Sequence, residues 1–114
     1  MEEVHDLSQS IVHIVVEIIE YVPNSVLSRT IIRKSSGNVK IMSLDSGEGL
    51  TEKTSPFDSF AQIIDGKAEI IIDGKVNQLN TGQGIIIPAH RSHIINANER
   101  FKMILTIIKD GYEG

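Results

Sequence analysis

From Val26 onward, short apolar runs alternate with polar breaks, most of which carry glycine. The runs are VLSRTII, NVKIMSLD, SFAQIID, KAEIIID, GIIIP, SHIINA and FKMILTIIK; the breaks are SSG, DSGEG, two Asp-Gly dipeptides, NTGQG and NANE. Several short strands separated by glycine turns predict a β-sandwich or barrel. No strand–helix–strand rhythm is present, which argues against a parallel α/β sheet.

Period-two alternation assigns faces within these runs. In the final run Phe101, Met103, Leu105 and Ile107 share one side, and Lys102, Ile104 and Thr106 the other. Ala68, Ile70 and Ile72 line up opposite Glu69. Ile85–Ile87 has no polar side, so it is expected to be covered on both, from within by the barrel and from outside by a second sheet, the N-terminal segment or another subunit. The pentapeptide IIDGK stands at residues 63–67 and again at 71–75. Asp-Gly tolerates positive φ and suits primed hairpin turns, so both copies are read as turns of a meander. A calcium role for Asp65 and Asp73 would need further oxygen ligands at a loop spacing that is absent.

The segment before Val26 differs. In SIVHIVVEIIEYV, residues 10–22, Ile11, Val15, Ile18, Ile19 and Val22 follow helical spacing, and Ser8 or Ser10 could cap a helix. Its many β-branched residues leave a strand open as the alternative. Pro23-Asn24 ends it either way. His13, within it, reads as a packing or surface residue.

Composition narrows the chemistry. The chain has 114 residues, which suggests a single domain with a core of its own. Its barrel core is expected over about 26–109 and an N-terminal extension over about 1–25. Cysteine is absent, so disulfides, thiolate metal sites and cysteine nucleophiles are excluded, and any metal would need His, Asp, Glu or Gln. A net charge of −4 with scattered basic residues argues against a nucleic-acid partner. The lack of Trp argues against a base-stacking platform. No apolar run reaches transmembrane length, so no membrane partner is expected. The start MEEVHD lacks the positive region of a signal peptide, and a cytoplasmic protein is the expectation.

The stretch GQGIIIPAHRSH, Gly82 to His93, carries the candidate chemistry: an apolar run ends at Pro88, and His90 and His93 follow. Gly82, five residues, Pro88, one residue, His90, two residues and His93 resemble the second motif of the cupin family. The segment Glu52-Lys53-Thr54-Ser55-Pro56-Phe57-Asp58, leading to Gly66, resembles the first motif of small single-domain cupins. The resemblance covers roughly residues 38–109. It implies an all-β fold, a jelly-roll (double-stranded β-helix) barrel with a short N-terminal helical or mixed segment, a pocket inside one end and a homodimer.

In metal-bearing cupins two histidines and a glutamate come from the first motif and a third histidine from the second. His93 matches the second-motif histidine. The first-motif histidine positions fall on Lys53 and Ser55, the glutamate position on Ser59, and His90 stands where the pattern has glycine. A lysine ammonium is a cation set where a metal would otherwise sit, and serine hydroxyls are weak ligands. Even with His90, Asp58 or Gln62 recruited, His93 has a poor ligand set, so no tightly bound metal is expected. The expected ligand pocket is Lys53, Ser55, Ser59, Gln62 and His93, with Lys53 supplying the metal's charge and favouring a small anionic or polar metabolite. For Lys53 the competing expectation is a solvated rim lysine paired with Glu52 or Asp58. For His93 it is a hydrogen bond to a backbone carbonyl. His90 and Arg91 read as surface residues, and Phe57 and Phe60 as packing.

Two other functions stay open at this point. The resemblance also covers metal-free isomerases and epimerases, in which His93 would be a general base with Lys53 stabilising an oxyanion. Tyr21 and Tyr112 lie outside the motifs and supply no partner acid. The third is a metal-dependent oxygenase or isomerase with a reduced ligand set.

Overall fold

One strand belongs to both halves of the barrel. In the computed structural model, which describes residues 7–109, β4 runs unbroken from Asp58 to Ile72. The acidic start MEEVHD and Tyr112 lie outside the described residues. The other strands are β1 (Val26–Lys34), β2 (Gly37–Leu44), β3 (Gly49–Thr54), β5 (Lys75–Asn80), β6 (Gly84–Ile87), β7 (Ser92–Asn96) and β8 (Phe101–Ile108). Their pairings are antiparallel. One sheet has the order β1-β2-β8-β4-β6 and the other β3-β7-β4-β5. The first half of β4 pairs with β6 and β8, the second half with β5 and β7. The curled pair of sheets is a jelly-roll barrel, as expected.

The first IIDGK copy therefore does not make the expected hairpin turn. Only the second does: Asp73 and Gly74 both have positive φ, 49° and 81°, in a two-residue turn between β4 and β5. At the first copy the register slips between Ile63 and Asp65, which is a β-bulge. Before it Ala61 and Ile63 are buried; after it Ala68 and Ile70 are. One extra residue has moved the inward positions from odd to even numbers. Gly66, at φ +90°, completes the bend. A β-carbon there would lie 2.2 Å from the Arg100 carbonyl oxygen and 2.9 Å from Phe101 Cα. The sequence repeat concealed this because Asp-Gly serves a turn and a glycine bend equally well.

The barrel is filled from both sheets. Leu44, Ile63, Ile70, Ile95, Phe101 and Met103 are fully buried and pack in one cluster. Each such side chain contributes about 1.5–3 kcal/mol by leaving water.

The N-terminal segment is not the helix its spacing suggested. It holds a single 3-10 turn, Val15–Glu17, with no side-chain cap. Backbone-directed bonds strap it over the outside of the first sheet. The Arg29 guanidinium donates to the Ile18 carbonyl at 2.8 Å, the Ser43 hydroxyl to the Glu20 carbonyl at 2.8 Å, and the Lys102 ammonium to the Val16 carbonyl. Tyr21 donates to Asp65 at 2.6 Å, under Arg100 at 4.4 Å from the ring centre. Burial and the Asp65 carboxylate hold the Tyr21 phenol above its usual range. Ile19 is buried, whereas Val12 is 95% exposed, so tertiary anchoring overrides the helical periodicity. His13 bonds the Ser8 carbonyl at the surface.

The strap leaves β6 bare. Ile87 is buried, but Ile86 is 63% exposed beside Phe60 and Ile108, so no outer cover of Ile85–Ile87 is found among the described residues. No helix among the described residues is long and apolar enough to cross a membrane.

Three substitutions have defined stability outcomes. Gly66→Ala is expected to cost about 2 kcal/mol or more, since the strained φ and the backbone collision both act. Gly82→Ala, at φ +92° but with open space around the added carbon, should cost nearer about 1 kcal/mol. Urea midpoints of the two variants would compare them; equal losses would show that the bend tolerates a side chain. Tyr21→Phe should cost about 1–2 kcal/mol through the lost bond to Asp65.

Candidate functional site

Inward-facing residues of β2, β3, β4, β6, β7 and β8 leave a cavity of about 210 Å³ in the barrel. Its apolar wall includes Met42, Leu50, Ile87, Ile95, Leu105 and Ile107. Its polar groups are Lys40, Lys53, Ser55, Ser59 and His93. Liquid water occupies about 30 Å³ per molecule, so the space suits a guest of roughly seven to ten heavy atoms.

Lys53 and His93 are direct cross-strand partners between β3 and β7, so their side chains share a face. A bulge decides that Lys53 is the residue which turns inward. Leu50 pairs with Ile95 and Lys53 with His93, with a register slip between them. Simple alternation from Leu50 would have sent Glu52 into the barrel. Instead the Glu52 carboxylate accepts the Ser92 hydroxyl. The Asp58 carboxylate accepts the Ala89 N–H at 2.8 Å. Neither acid lines the cavity. Lys53 itself is exposed, which places it at the mouth.

His93 is held inside. Its Nδ1 is buried and has no hydrogen-bond partner, not the backbone carbonyl expected of a strand-start histidine. Ser55 is fixed by its neighbours: its carbonyl accepts the His90 N–H at 2.7 Å, and its hydroxyl oxygen accepts the Phe57 N–H at 3.1 Å. The hydroxyl hydrogen of Ser55 stays available to a guest. Ser59 sits between Ile87 and Ile107 in the ladders and turns inward with them.

Of the five residues expected around the pocket, the structure brings Lys53, Ser55, Ser59 and His93 together. Gln62 is a correction. It is exposed and lines a separate surface hollow with Phe60, Thr81 and Gly84. It shares a face with Phe60, opposite Ala61 and Ile63, so alternation along β4 carries it away from the cavity. His90 is exposed at φ 65°, and Arg91 pairs with Asp73 at 2.8 Å on the surface.

Lys40 is the residue that sequence reasoning missed. It lies opposite Leu105 on β2, half-buried, and lines the cavity. The signal was present in NVKIMSL, where Lys40, Met42 and Leu44 alternate and the latter two are core residues. Burial pushes its ammonium below the ordinary lysine range, and the charges of Lys53, Lys109 and Arg33 push the same way. Lys109 lies over the Phe57 ring at 5.3 Å. An acidic chain thus gathers cations at one end of its barrel.

The fold family implies a metal, and these residues do not fit one. A metal site needs about three neutral or anionic ligands. Here His93 is accompanied by two lysines and two serines, and among the described residues no three His, Asp or Glu side chains converge. A cation bound at His93 would meet ammonium groups in place of carboxylates.

No protein-family model matches the chain, and no curated protein matches its sequence. Solved structures do match. A conserved protein of unknown function from Streptococcus pyogenes is 29% identical, with 96% of each chain covered and a TM-score of 0.87. A cupin superfamily protein from Desulfitobacterium hafniense is 27% identical over 96% of this chain and 100% of its own, with a TM-score of 0.86. A cupin 2 conserved barrel domain protein from Leptotrichia buccalis is 30% identical over 82% of this chain, with a TM-score of 0.80, and the match covers 46% of that longer protein. The motif spacing from Gly82 to His93, the jelly roll and these likenesses agree: the chain is a small barrel domain of the cupin superfamily.

Proposed function

We propose that this cupin barrel binds a small anionic metabolite in the cavity at the Lys53–His93 pair. The observation that carries the reading is the make-up of the cavity: two lysines, a histidine and two serines converge there with no carboxylate among them. A half-buried ammonium beside a second cation at the mouth, with no carboxylate among the described residues lining the cavity, is unfavourable, and a guest carboxylate or phosphate lowers that cost. The hydroxyls of Ser55 and Ser59 and the unpartnered Nδ1 of His93 add hydrogen bonds that orient the guest. The aliphatic wall favours a compact guest with an apolar portion.

The homodimer implied by the family resemblance belongs to the same proposal. The exposed Phe60, Ile86 and Ile108 supply an apolar strip on the outer sheet face for a second copy. Ile86→Glu is expected to shift the sedimentation coefficient to that of a monomer. An unchanged value would remove this strip from the interface.

Anion binding is tested by thermal shift with phosphate and small mono- and dicarboxylates, using their neutral amides as controls. At a hundredfold excess over Kd, binding should stabilise the fold by about 2.7 kcal/mol. Lys40→Met is expected to raise the melting temperature of the empty protein, because a half-buried charge is gone, and to shrink the anion shift. Lys53→Met should shrink it too. Anion shifts left intact in both variants would defeat the reading.

The pH dependence has a definite sign. Lys40 has a folded-state pKa below the ordinary 10.5. The penalty for burying its charge is therefore in full force below the folded value and fades as pH climbs from that value toward 10.5. A bound anion favours the charged amine and raises the pKa again. Binding should thus take up protons within this window and weaken as pH rises through it; calorimetry in buffers of different ionisation enthalpy would measure the uptake. Elemental analysis of protein purified without added metal should find only substoichiometric transition metal, whereas a full equivalent retained through dialysis would contradict the donor chemistry.

A further inference from the structure

Anion binding leaves the chemistry of Lys40 unused. Its side chain is half-buried on β2, and among the described residues no hydrogen bond or ion pair holds its ammonium. The groups that act on it come from each neighbouring element: Lys53 on β3, Lys109 just past β8 and Arg33 on β1, with His93 on β7 lining the same cavity. Met42 and Leu105 flank it with hydrocarbon. An amine set in apolar walls beside other cations gives up its proton readily, and the neutral amine is a nucleophile.

We propose that Lys40 Nζ forms a Schiff base with the carbonyl carbon of a small oxo-acid whose carboxylate is held by Lys53 and His93. This rests on the anion reading and adds the substrate class. The neutral amine's lone pair forms the C–N bond while the carbonyl π pair moves onto oxygen. A proton passes from nitrogen to that oxygen and gives the carbinolamine. A second proton on the hydroxyl lets it leave as water while the nitrogen lone pair closes the C=N bond. The net change is amine plus carbonyl plus one proton to protonated imine plus water, with no oxidant or reductant. His93, with its Nδ1 buried and unpartnered, is the proton carrier within the cavity. The cationic imine then draws electrons from the adjacent carbon, so hydrogens on that carbon exchange with solvent.

The test uses the whole chain with pyruvate, reduced by borohydride and mapped by peptide mass spectrometry. Lys40 is expected to gain the mass of the acid less one oxygen, several-fold faster than the exposed Lys67 and Lys75. Lys40→Arg should abolish that adduct. Lys53→Met removes a like charge, so the pH profile of trapping at Lys40 should move to higher pH, a response that a purely structural lysine would not show. Label spread evenly over exposed lysines, or trapping unchanged in Lys40→Arg, overturns the inference. Because the mapping is made on the unaltered protein, a variant that fails to fold does not rescue it. A thermal shift of the unaltered protein with pyruvate and with phosphate separates the two proposals. Shifts without a Lys40 adduct sink only the Schiff base; the absence of any shift sinks the anion site beneath it.

Discussion

Everything in this barrel is arranged around a strand that cannot stay straight. β4 pairs with β6 as far as Gln62 and with β8 as far as Gly66, and with β5 and β7 after Gly66. The change of partners needs one inserted residue and one residue without a side chain, because the Arg100 carbonyl closes the space a β-carbon would occupy. With that bend the two sheets face one another, and Ala61, Ile63, Ala68 and Ile70 all reach one core. Without it the inward residues of one half would point into solvent.

The cavity follows from the same logic at smaller scale. The slip between Leu50 and Lys53 swaps which charge of a Glu-Lys pair enters the barrel. The acid goes out to Ser92, and Lys53 comes to lie across from His93 at the cavity mouth. Lys40 comes from the opposite sheet by plain alternation. The result is a local positive field in a chain of net charge −4. That placement works against stability, since burial disfavours a charged amine and the neighbouring cations disfavour it further. A site that stores unfavourable charge is suited to a guest that neutralises it.

The departures from sequence expectation share a cause. The helix expected over residues 10–22 and the turn expected at Asp65-Gly66 are both local patterns overruled by distant partners. Arg29, Ser43, Lys102 and Asp65 capture the N-terminal segment, and β8 captures the first Asp-Gly. Gln62, expected in the pocket as a side chain that His93 could recruit, lies on the outer side of β4.

The polar strands β3 and β5 and the continuity of β4 were not legible in the chain itself, whereas the runs of β1, β2, β6, β7 and β8, the two halves of β4 as separate runs, and the core positions of β8 and of the second half of β4 were. Those features depend on residue type, spacing of two and glycine turns, which act within a few residues. The partner of each strand, the direction of Lys53 and the presence of Lys40 beside it were decided only by the tertiary structure. A bulge reverses the sidedness of every residue beyond it, and where it falls depends on the facing strand, so alternation along a single strand does not reveal it.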